Sequence, residues 1–171
     1  MGIVEVFTGN GRGKSSAALG VAVRAAGHNL KVHIVYFMKG DYPYGEQKIL
    51  AQLPNVTYAA FGHRDFVDPA NVKPEEIEQA GQALSEARRA IFSNEYDLVV
   101  LDEVNVAIAW KLVDLDNMVQ LIKDKPDSLE LILTGRYASG KITQLADLVT
   151  EMVEVKHPYQ KGITSRKGFD Y

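Results

Sequence analysis

Residues 3–20 read IVEVFTGNGRGKSSAALG, a glycine-rich turn between a short apolar run and an alanine-rich segment. The phosphate-loop pattern G-x-x-x-x-G-K-[ST] fits Gly13, Lys14 and Ser15, whereas Thr8 stands where the pattern has its first glycine. A loop between a buried strand and a helix suits phosphate, because backbone N–H groups at a helix N-terminus attract anions. The stretch therefore predicts an α/β fold with an anion site at the end of its first strand.

The glycines of this loop have two alternative explanations. One is a glycine-rich turn without a ligand, although Gly-Lys-Ser at a helix start is more than a turn requires. The other is the dinucleotide-binding pattern G-x-G-x-x-G beginning at Gly9, which fails because position 14 is Lys14. In the phosphate-loop interpretation, Lys14 contacts phosphate oxygens and the Ser15 hydroxyl binds Mg2+.

The composition predicts one globular domain spanning residues 1–171. Hydrophobic residues make up 46% of the chain, enough for a continuous core, and the formal charge of −3 gives no broad basic surface for nucleic acid. The absence of cysteine excludes disulfides and thiolate metal sites. Neither a membrane-spanning run nor an export signal is evident, so we expect a cytoplasmic protein that binds neither nucleic acid nor membrane.

Apolar runs of strand length alternate with segments of helical periodicity. The predicted strands are Ile3–Phe7, Lys31–Phe37, Val56–Phe61, Asp97–Leu101, Leu129–Thr134 and Val149–Val155. Several are almost continuous Val, Ile and Leu, which favours a mostly parallel sheet covered by helices on both faces, with the more alternating last strand at an edge. Ligands of such sheets bind at the carboxyl ends of the strands. The loops after Phe7, Phe37, Leu101 and Thr134 should therefore share one rim.

Four helices are expected between these strands. The first follows Lys14 and stops at Gly27, and the second begins near Pro74 and carries an apolar face that includes Ile77. Asp114 is expected to cap a third helix, and a short fourth precedes the last strand. No linker divides the chain.

Charged residues at two further strand ends complete a candidate nucleotide site. Asp102 and Glu103 end the run LVVLDE, where they would hold Mg2+ directly or through water, or where one would act as a general base. Arg136 ends the run LILTGR and is either a bidentate phosphate ligand or an ordinary surface arginine. The four histidines lack metal-ligand spacing. These residues indicate binding of a magnesium nucleotide without choosing a reaction.

Segments along nearly the whole chain resemble the ATP:corrinoid adenosyltransferases of the CobA/BtuR/CobO type. They are FTGNGRGKSSAALGVAVRAAGH, VYFMKG with GE at positions 45–46, DLVVLDEVNVAIAW, LILTGRYA, LADLVTEMVEVKHPYQKGI and the terminal KGFDY. Thr8 is the residue that this family usually has at the start of the loop. The resemblance implies a P-loop NTPase-like (RecA-like) fold in which ATP lies reversed, with its γ-phosphate where other phosphate-loop enzymes keep the α-phosphate.

The resemblance also implies the reaction, transfer of the 5′-deoxyadenosyl group of ATP to the Co(I) of a reduced corrinoid with release of triphosphate. The implied corrinoid is cobalamin or cobyrinic acid a,c-diamide. The implied ATP-binding residues are Thr8, Gly9, Asn10, Gly11, Arg12, Gly13, Lys14, Ser15 and Ser16. Lys14, Glu103 and Arg136 are the expected catalytic residues, and Ser15, Asp102 and Glu103 the expected magnesium ligands. A homodimer and an electron donor such as a reduced flavoprotein are the implied partners.

One segment departs from the family. Its pattern Gly-Phe-Thr-Trp, thought to displace the lower axial ligand of cobalt, is replaced here by FGHRDFVDP over residues 61–69. Phe66 is the nearest equivalent of the tryptophan, while Phe61 and a cobalt-coordinating His63 are alternatives, as is simple core packing of both phenylalanines. Trp110 either faces the corrin or packs in the core. The tail, residues 162–171, is expected either to dock through Phe169 and Tyr171 or to be a solvated end.

The assignment of Phe66 predicts a difference between two cobalt substrates. Phe66→Ala should lose more activity when the corrinoid is supplied as Co(II) than as chemically reduced Co(I), because only Co(II) requires displacement of its lower ligand before reduction. Anaerobic assays with the two feeds measure the ratio. Equal losses would remove Phe66 from ligand displacement.

Overall fold

The computed structural model describes residues 1–40, 44–63, 65 and 67–170. Its elements in chain order are β1 (Val4–Thr8), α1 (Lys14–Gly27), β2 (Val32–Tyr36), α2 (Gly45–Leu50), β3 (Val56–Ala60), α3 (Pro74–Phe92), β4 (Leu98–Asp102), α4 (Val104–Ala109), α5 (Leu115–Asp124), β5 (Glu130–Thr134), α6 (Gly140–Leu145), β6 (Leu148–Glu151) and a 3-10 turn (Pro158–Lys161). The six strands and four helices expected from the sequence are all present, with boundaries shifted by a few residues.

The strands form a single sheet in the order β3-β2-β4-β5-β1-β6, and every pairing is parallel. All five residues of β2 and all five of β4 are buried, as their largely apolar sequences predict for central strands. The last strand, β6, lies at an edge with exposed residues at most positions, which confirms its predicted place. Parallel pairing brings the carboxyl ends of the strands to one rim.

Helices cover both faces of the sheet, as expected. On one face Val99 and Leu101 of β4 join a core supplied by α3, α4, α5 and α6. On the other face, Leu98 and Val100 of the same strand join a core supplied by α1 and α2. The two-residue alternation of a strand thus feeds two separate cores. Among the described residues, no helix combines the length and hydropathy needed to cross a bilayer.

Two details of the helices differ from the sequence-based expectation. Ile77, placed on the apolar face of α3, is 48% exposed, and the helix instead buries mainly small side chains at Ala80, Ala83, Ala87 and Ala90. Small residues let the helix lie close to the sheet, so its apolar stripe is narrower than the periodicity suggests. The short helices α2 and α4 were not predicted, since six residues span less than two turns and leave almost no periodic signal.

The predicted cap of α5 is present, with the Asp114 carboxylate accepting a hydrogen bond from the Asn117 N–H at 2.9 Å. This satisfies one of the free donors at the helix N-terminus.

The loops that follow β2 and β3 touch through their backbones. The Lys39 N–H donates to the Phe61 carbonyl at 2.9 Å, and a methyl group added to Gly40 would lie 2.0 Å from the Gly62 carbonyl oxygen. Gly62 itself has φ of 119°, a conformation open to glycine. These contacts hold the loop after β2 against the loop that carries the cobalt-facing candidates.

Substituting Gly40 by alanine should destabilise the fold by roughly 1–3 kcal/mol, because the added methyl overlaps backbone atoms that cannot rotate away. Gly81→Ala is the matched control, since its methyl meets nothing within 4 Å in the interior of α3. That change should stabilise by up to about 1 kcal/mol. Urea unfolding measures both; a neutral Gly40→Ala would contradict the close approach of the two loops.

Candidate functional site

The glycine-rich loop joins β1 to α1 at the rim, where the sequence predicted it. Gly9 and Gly13 have φ values of 95° and 122°, which only glycine adopts readily. The Gly11 N–H donates to the Met152 carbonyl at 2.6 Å, and a methyl group on Gly9 or Gly11 would overlap that carbonyl. The glycines therefore serve the packing of the loop against the chain after β6, in addition to exposing backbone donors.

Thr8 joins the start of the loop to two other segments through hydrogen bonds. Its hydroxyl accepts a hydrogen bond from the Ala138 N–H at 3.3 Å, and its carbonyl accepts one from the Met152 N–H at 2.8 Å. A glycine at this position would lack the hydroxyl contact. The departure from the general phosphate-loop pattern thus links the loop to the segment that follows β5.

The N-terminus of α1 is suited to an anion. Within the described residues, Gly13 precedes the helix and no side chain caps its first turn, so its N–H groups have no protein acceptor from a cap. Lys14 is buried, and its ammonium donates to the Gly11 carbonyl at 2.6 Å, folded back over the loop. Burial lowers the pKa of Lys14, with the positive charges of Arg136 and Lys39 acting in the same direction. The negative charge of a bound phosphate would counteract both effects and favour the charged form of Lys14.

Asp102, the last residue of β4, is a buried carboxylate with a full set of partners. It is 2% exposed; its Oδ1 accepts from the Thr134 hydroxyl at 2.7 Å and its Oδ2 from the Lys39 ammonium at 2.6 Å. Burial alone would raise the pKa of Asp102, but Lys39 and the hydrogen bonds from Thr134 and Ser15 outweigh it and lower the pKa. Asp102 is therefore ionised at neutral pH.

Glu103 follows in a left-handed conformation, with φ of 64°, and immediately precedes α4. Its N–H donates to the Thr134 hydroxyl oxygen at 2.9 Å, so a single threonine holds both acidic residues in register. Burial, followed by repulsion from Asp102, raises the pKa of Glu103. The two neighbouring carboxylates consequently differ, one held as an anion and the other protonating more easily.

Lys39 is a site residue that sequence reasoning missed. Its ammonium reaches Asp102 at 2.6 Å, the Ser15 hydroxyl at 3.4 Å and Glu103 at 3.9 Å, and it lies 5.0 Å from the centre of the Tyr44 ring. The run VYFMKG carried a signal, because Lys39 follows β2, the strand next to β4. Predicting the contact required knowing that Tyr36 pairs with Asp102.

The three predicted magnesium ligands meet at this ammonium. Ser15, Asp102 and Glu103 all present oxygen atoms to one cation, the Lys39 ammonium. No group of three or more His, Asp or Glu side chains able to hold a metal is found among the described residues. Magnesium bound with ATP needs no such group, since phosphate oxygens and water complete its six ligands. The donor set fits that ion.

The remaining predicted ATP ligands lie on the loop surface or across the rim. Asn10, Arg12 and Ser16 are exposed. Arg136 is also exposed, but its positive charge lowers the pKa of Lys14 and that of Glu103. It therefore lies at the same rim.

Arg12 already contacts the C-terminal tail. Its guanidinium donates to the Phe169 carbonyl and pairs with Asp170 at 3.1 Å. Phe169 is 71% exposed, so the tail docks through Asp170 and backbone and not through a buried aromatic ring. Tyr171 lies outside the described residues.

The structure describes three of the four candidate corrinoid residues. Phe66 lies outside the described residues. His63 is exposed and lines a small depression together with Met38 and Gln79. Phe61 and Trp110 are partly buried and pack against the core shared with α3 and α4.

The fold and the rim together define a phosphate-loop α/β protein. A solved structure of similar fold is the flagellar accessory protein FlaH from Methanocaldococcus jannaschii, with a TM-score of 0.60 and 15% identity, covering 87% of this chain and 70% of that one. At this identity the likeness concerns the fold alone, and it agrees with the expected P-loop NTPase-like architecture.

Sequence comparison identifies the family. The model of the ATP:corrinoid adenosyltransferases BtuR/CobO/CobP matches residues 1–171. A corrinoid adenosyltransferase of Escherichia coli K12 is 35% identical over 99% of this chain and 86% of its own length. One from Pseudomonas aeruginosa is 36% identical over 99% and 84%. The chain belongs to this family of transferases, which use ATP and a corrinoid, and the resemblance seen in the sequence is confirmed.

Removing the Asp102 charge tests the buried ion pair. Asp102→Asn should destabilise the protein by about 3–5 kcal/mol at pH 7, because the Lys39 ammonium loses its closest counter-ion. Since the native pKa of Asp102 lies below its ordinary value of 3.8, the difference from wild type should be complete above that pH and shrink as the pH falls further. Denaturant unfolding across pH measures it.

Asp116→Asn is the matched control, since it breaks an exposed pair with Lys141. It should change stability little at any pH. An Asp102→Asn protein as stable as this control would contradict the ion pair's role.

Proposed function

We propose that this protein transfers the 5′-deoxyadenosyl group of ATP to the Co(I) of cobalamin or cobyrinic acid a,c-diamide and releases triphosphate. The observation that carries the proposal is the meeting of an uncapped helix N-terminus, Lys14 and the Ser15–Asp102–Glu103 cluster at one rim. Membership of the adenosyltransferase family supports the reaction.

The loop is proposed to bind the leaving group. The Co(I) electron pair forms a bond to the ribose C5′ while the C5′–O bond breaks. The triphosphate departs with the electron pair of the broken C5′–O bond. Charge therefore grows on phosphate oxygens, where the free N–H groups at the N-terminus of α1 can stabilise it. Lys14 exchanges the Gly11 carbonyl for a phosphate oxygen, and Arg136 approaches from the end of β5.

No protein base is needed, because Co(I) is itself a strong nucleophile. Glu103 is therefore proposed to orient the metal or the ribose, and the greater basicity that its raised pKa implies is not used in this reaction. Magnesium held by Ser15, Asp102 and Glu103 would add charge neutralisation at the triphosphate. The protein then has to position C5′ in line with cobalt and to exclude competing water.

The corrinoid is proposed to bind beside the loop after β3. Phe66, Phe61 and His63 are the candidates for the face of cobalt, and Trp110 is a further aromatic candidate. The backbone contact between Lys39 and Phe61 joins this loop to the nucleotide rim. The proposal includes a single domain over residues 1–171, a homodimer, a cytoplasmic location and an electron donor such as a reduced flavoprotein.

The reaction is tested by anaerobic incubation with ATP, Mg2+ and a Co(I) corrinoid, following the spectrum of the corrinoid and identifying the phosphate product. Adenosylcorrinoid and triphosphate in equal amounts are expected. ADP and phosphate without adenosylcorrinoid would point to an ATPase or kinase and overturn the proposal. Tight binding of adenosylcobalamin without turnover would instead indicate a carrier.

Lys14→Ala should abolish detectable transfer while the protein still folds, because the ammonium is needed to stabilise charge on the triphosphate and, within the described part of the chain, donates to the Gly11 carbonyl. The initial rate of adenosylcorrinoid formation is the measurement, with circular dichroism to confirm folding. Lys48→Ala, an exposed lysine on α2, is the control and should retain the wild-type rate. Transfer by Lys14→Ala at a rate near that of the control would refute the role given to the loop.

A further inference from the structure

The position of the Lys39 ammonium is unusual for a lysine at a nucleotide rim. The Lys39 side chain is mostly buried, with 12% of its surface exposed. The ammonium lies beside the side-chain oxygens of Ser15, Asp102 and Glu103. These are the same three groups to which the magnesium ion is assigned.

An ammonium and a magnesium ion cannot share this position. One oxygen of Asp102, Oδ1, accepts from the Thr134 hydroxyl, and the other, Oδ2, lies 2.6 Å from the Lys39 nitrogen. A metal that binds Oδ2 must displace the ammonium, because two positive charges a few ångströms apart repel strongly in a partly buried site.

The side chain can move without the backbone. The Lys39 N–H is held by the Phe61 carbonyl and the next residue, Gly40, is packed against Gly62, so the backbone at these two residues is anchored. The four-carbon stem of lysine has enough rotatable bonds to carry the ammonium off Asp102. An anion arriving at Ser15 would offer it another partner.

We propose that the Lys39 ammonium is a built-in substitute for magnesium, which occupies the metal position in the nucleotide-free protein and leaves it when magnesium and ATP bind together. The ion pair keeps the buried Asp102 charge compensated while the site is empty of nucleotide. The ion pair also disfavours the binding of a metal ion without nucleotide. Such an ion must displace the ammonium, but brings no phosphate with which the ammonium could pair. This inference rests on the proposed magnesium site.

Binding of Mn2+ without nucleotide tests the substitution directly, since Mn2+ prefers the same oxygen ligands and its free form is counted by electron paramagnetic resonance. Lys39→Met should bind one Mn2+ at least about tenfold more tightly than wild type, because one positive charge is removed from the metal position. Lys141→Met, which breaks the exposed pair with Asp116, is the matched control and should bind Mn2+ as wild type does. Adding Asp102→Asn to Lys39→Met should abolish the gain.

The response of the thermal unfolding midpoint to Mg2+ is a second test, because a lysine with a purely structural role would not change that response. Lys39→Met should unfold at a lower temperature than wild type in a chelator, and added Mg2+ should raise its midpoint far more than that of wild type. Lys39→Gln serves in the same way if the methionine variant does not fold. Unchanged Mn2+ affinity in the folded variant, or no greater response to Mg2+, would overturn the inference.

The two proposals fail separately. If wild type forms adenosylcorrinoid and triphosphate but Lys39→Met gains no affinity for Mn2+, only the substitution by Lys39 is wrong. If Lys39→Met gains the metal site but wild type transfers no adenosyl group, the proposed reaction is wrong and the cation exchange stands.

Discussion

A carboxylate buried at the end of a central strand is the constraint that organises this rim. Asp102 is almost fully removed from water, and an isolated charge in that position would be prohibitively costly. Each neighbour supplies part of the compensation: β5 through Thr134, the loop after β2 through Lys39, and α1 through Ser15. Four segments distant in sequence are thereby brought to one point, which is also the point where the nucleotide is proposed to bind.

The fold was largely predictable because its signals are local. Continuous Val, Ile and Leu runs marked the buried strands, and the loop containing Lys14 marked the first crossover. The outer position of β6 followed from its more alternating sequence. The prediction was wrong where tertiary packing decided the outcome. Ile77 is exposed, and the side of α3 that packs on the sheet carries mainly alanines.

The candidate site was predicted in part for the same reason. Asp102 and Glu103 could be placed at the rim, because a residue that ends a parallel strand must lie there. Lys39 could not, since its role depends on the neighbours of β2 in the sheet and on the direction of a flexible side chain. The hydroxyl of Thr134, which positions both acids, was equally hidden, because a threonine ending a strand is common.

The docking of the C-terminal tail has a practical consequence for work on this protein. Asp170 and the Phe169 carbonyl rest on Arg12, within the loop proposed to hold ATP. A group attached close to Asp170 would therefore lie near Arg12, where an added carboxylate would compete for the same guanidinium. Tags are better placed at the N-terminus, because Val4 begins β1 at the end of the strand away from this rim.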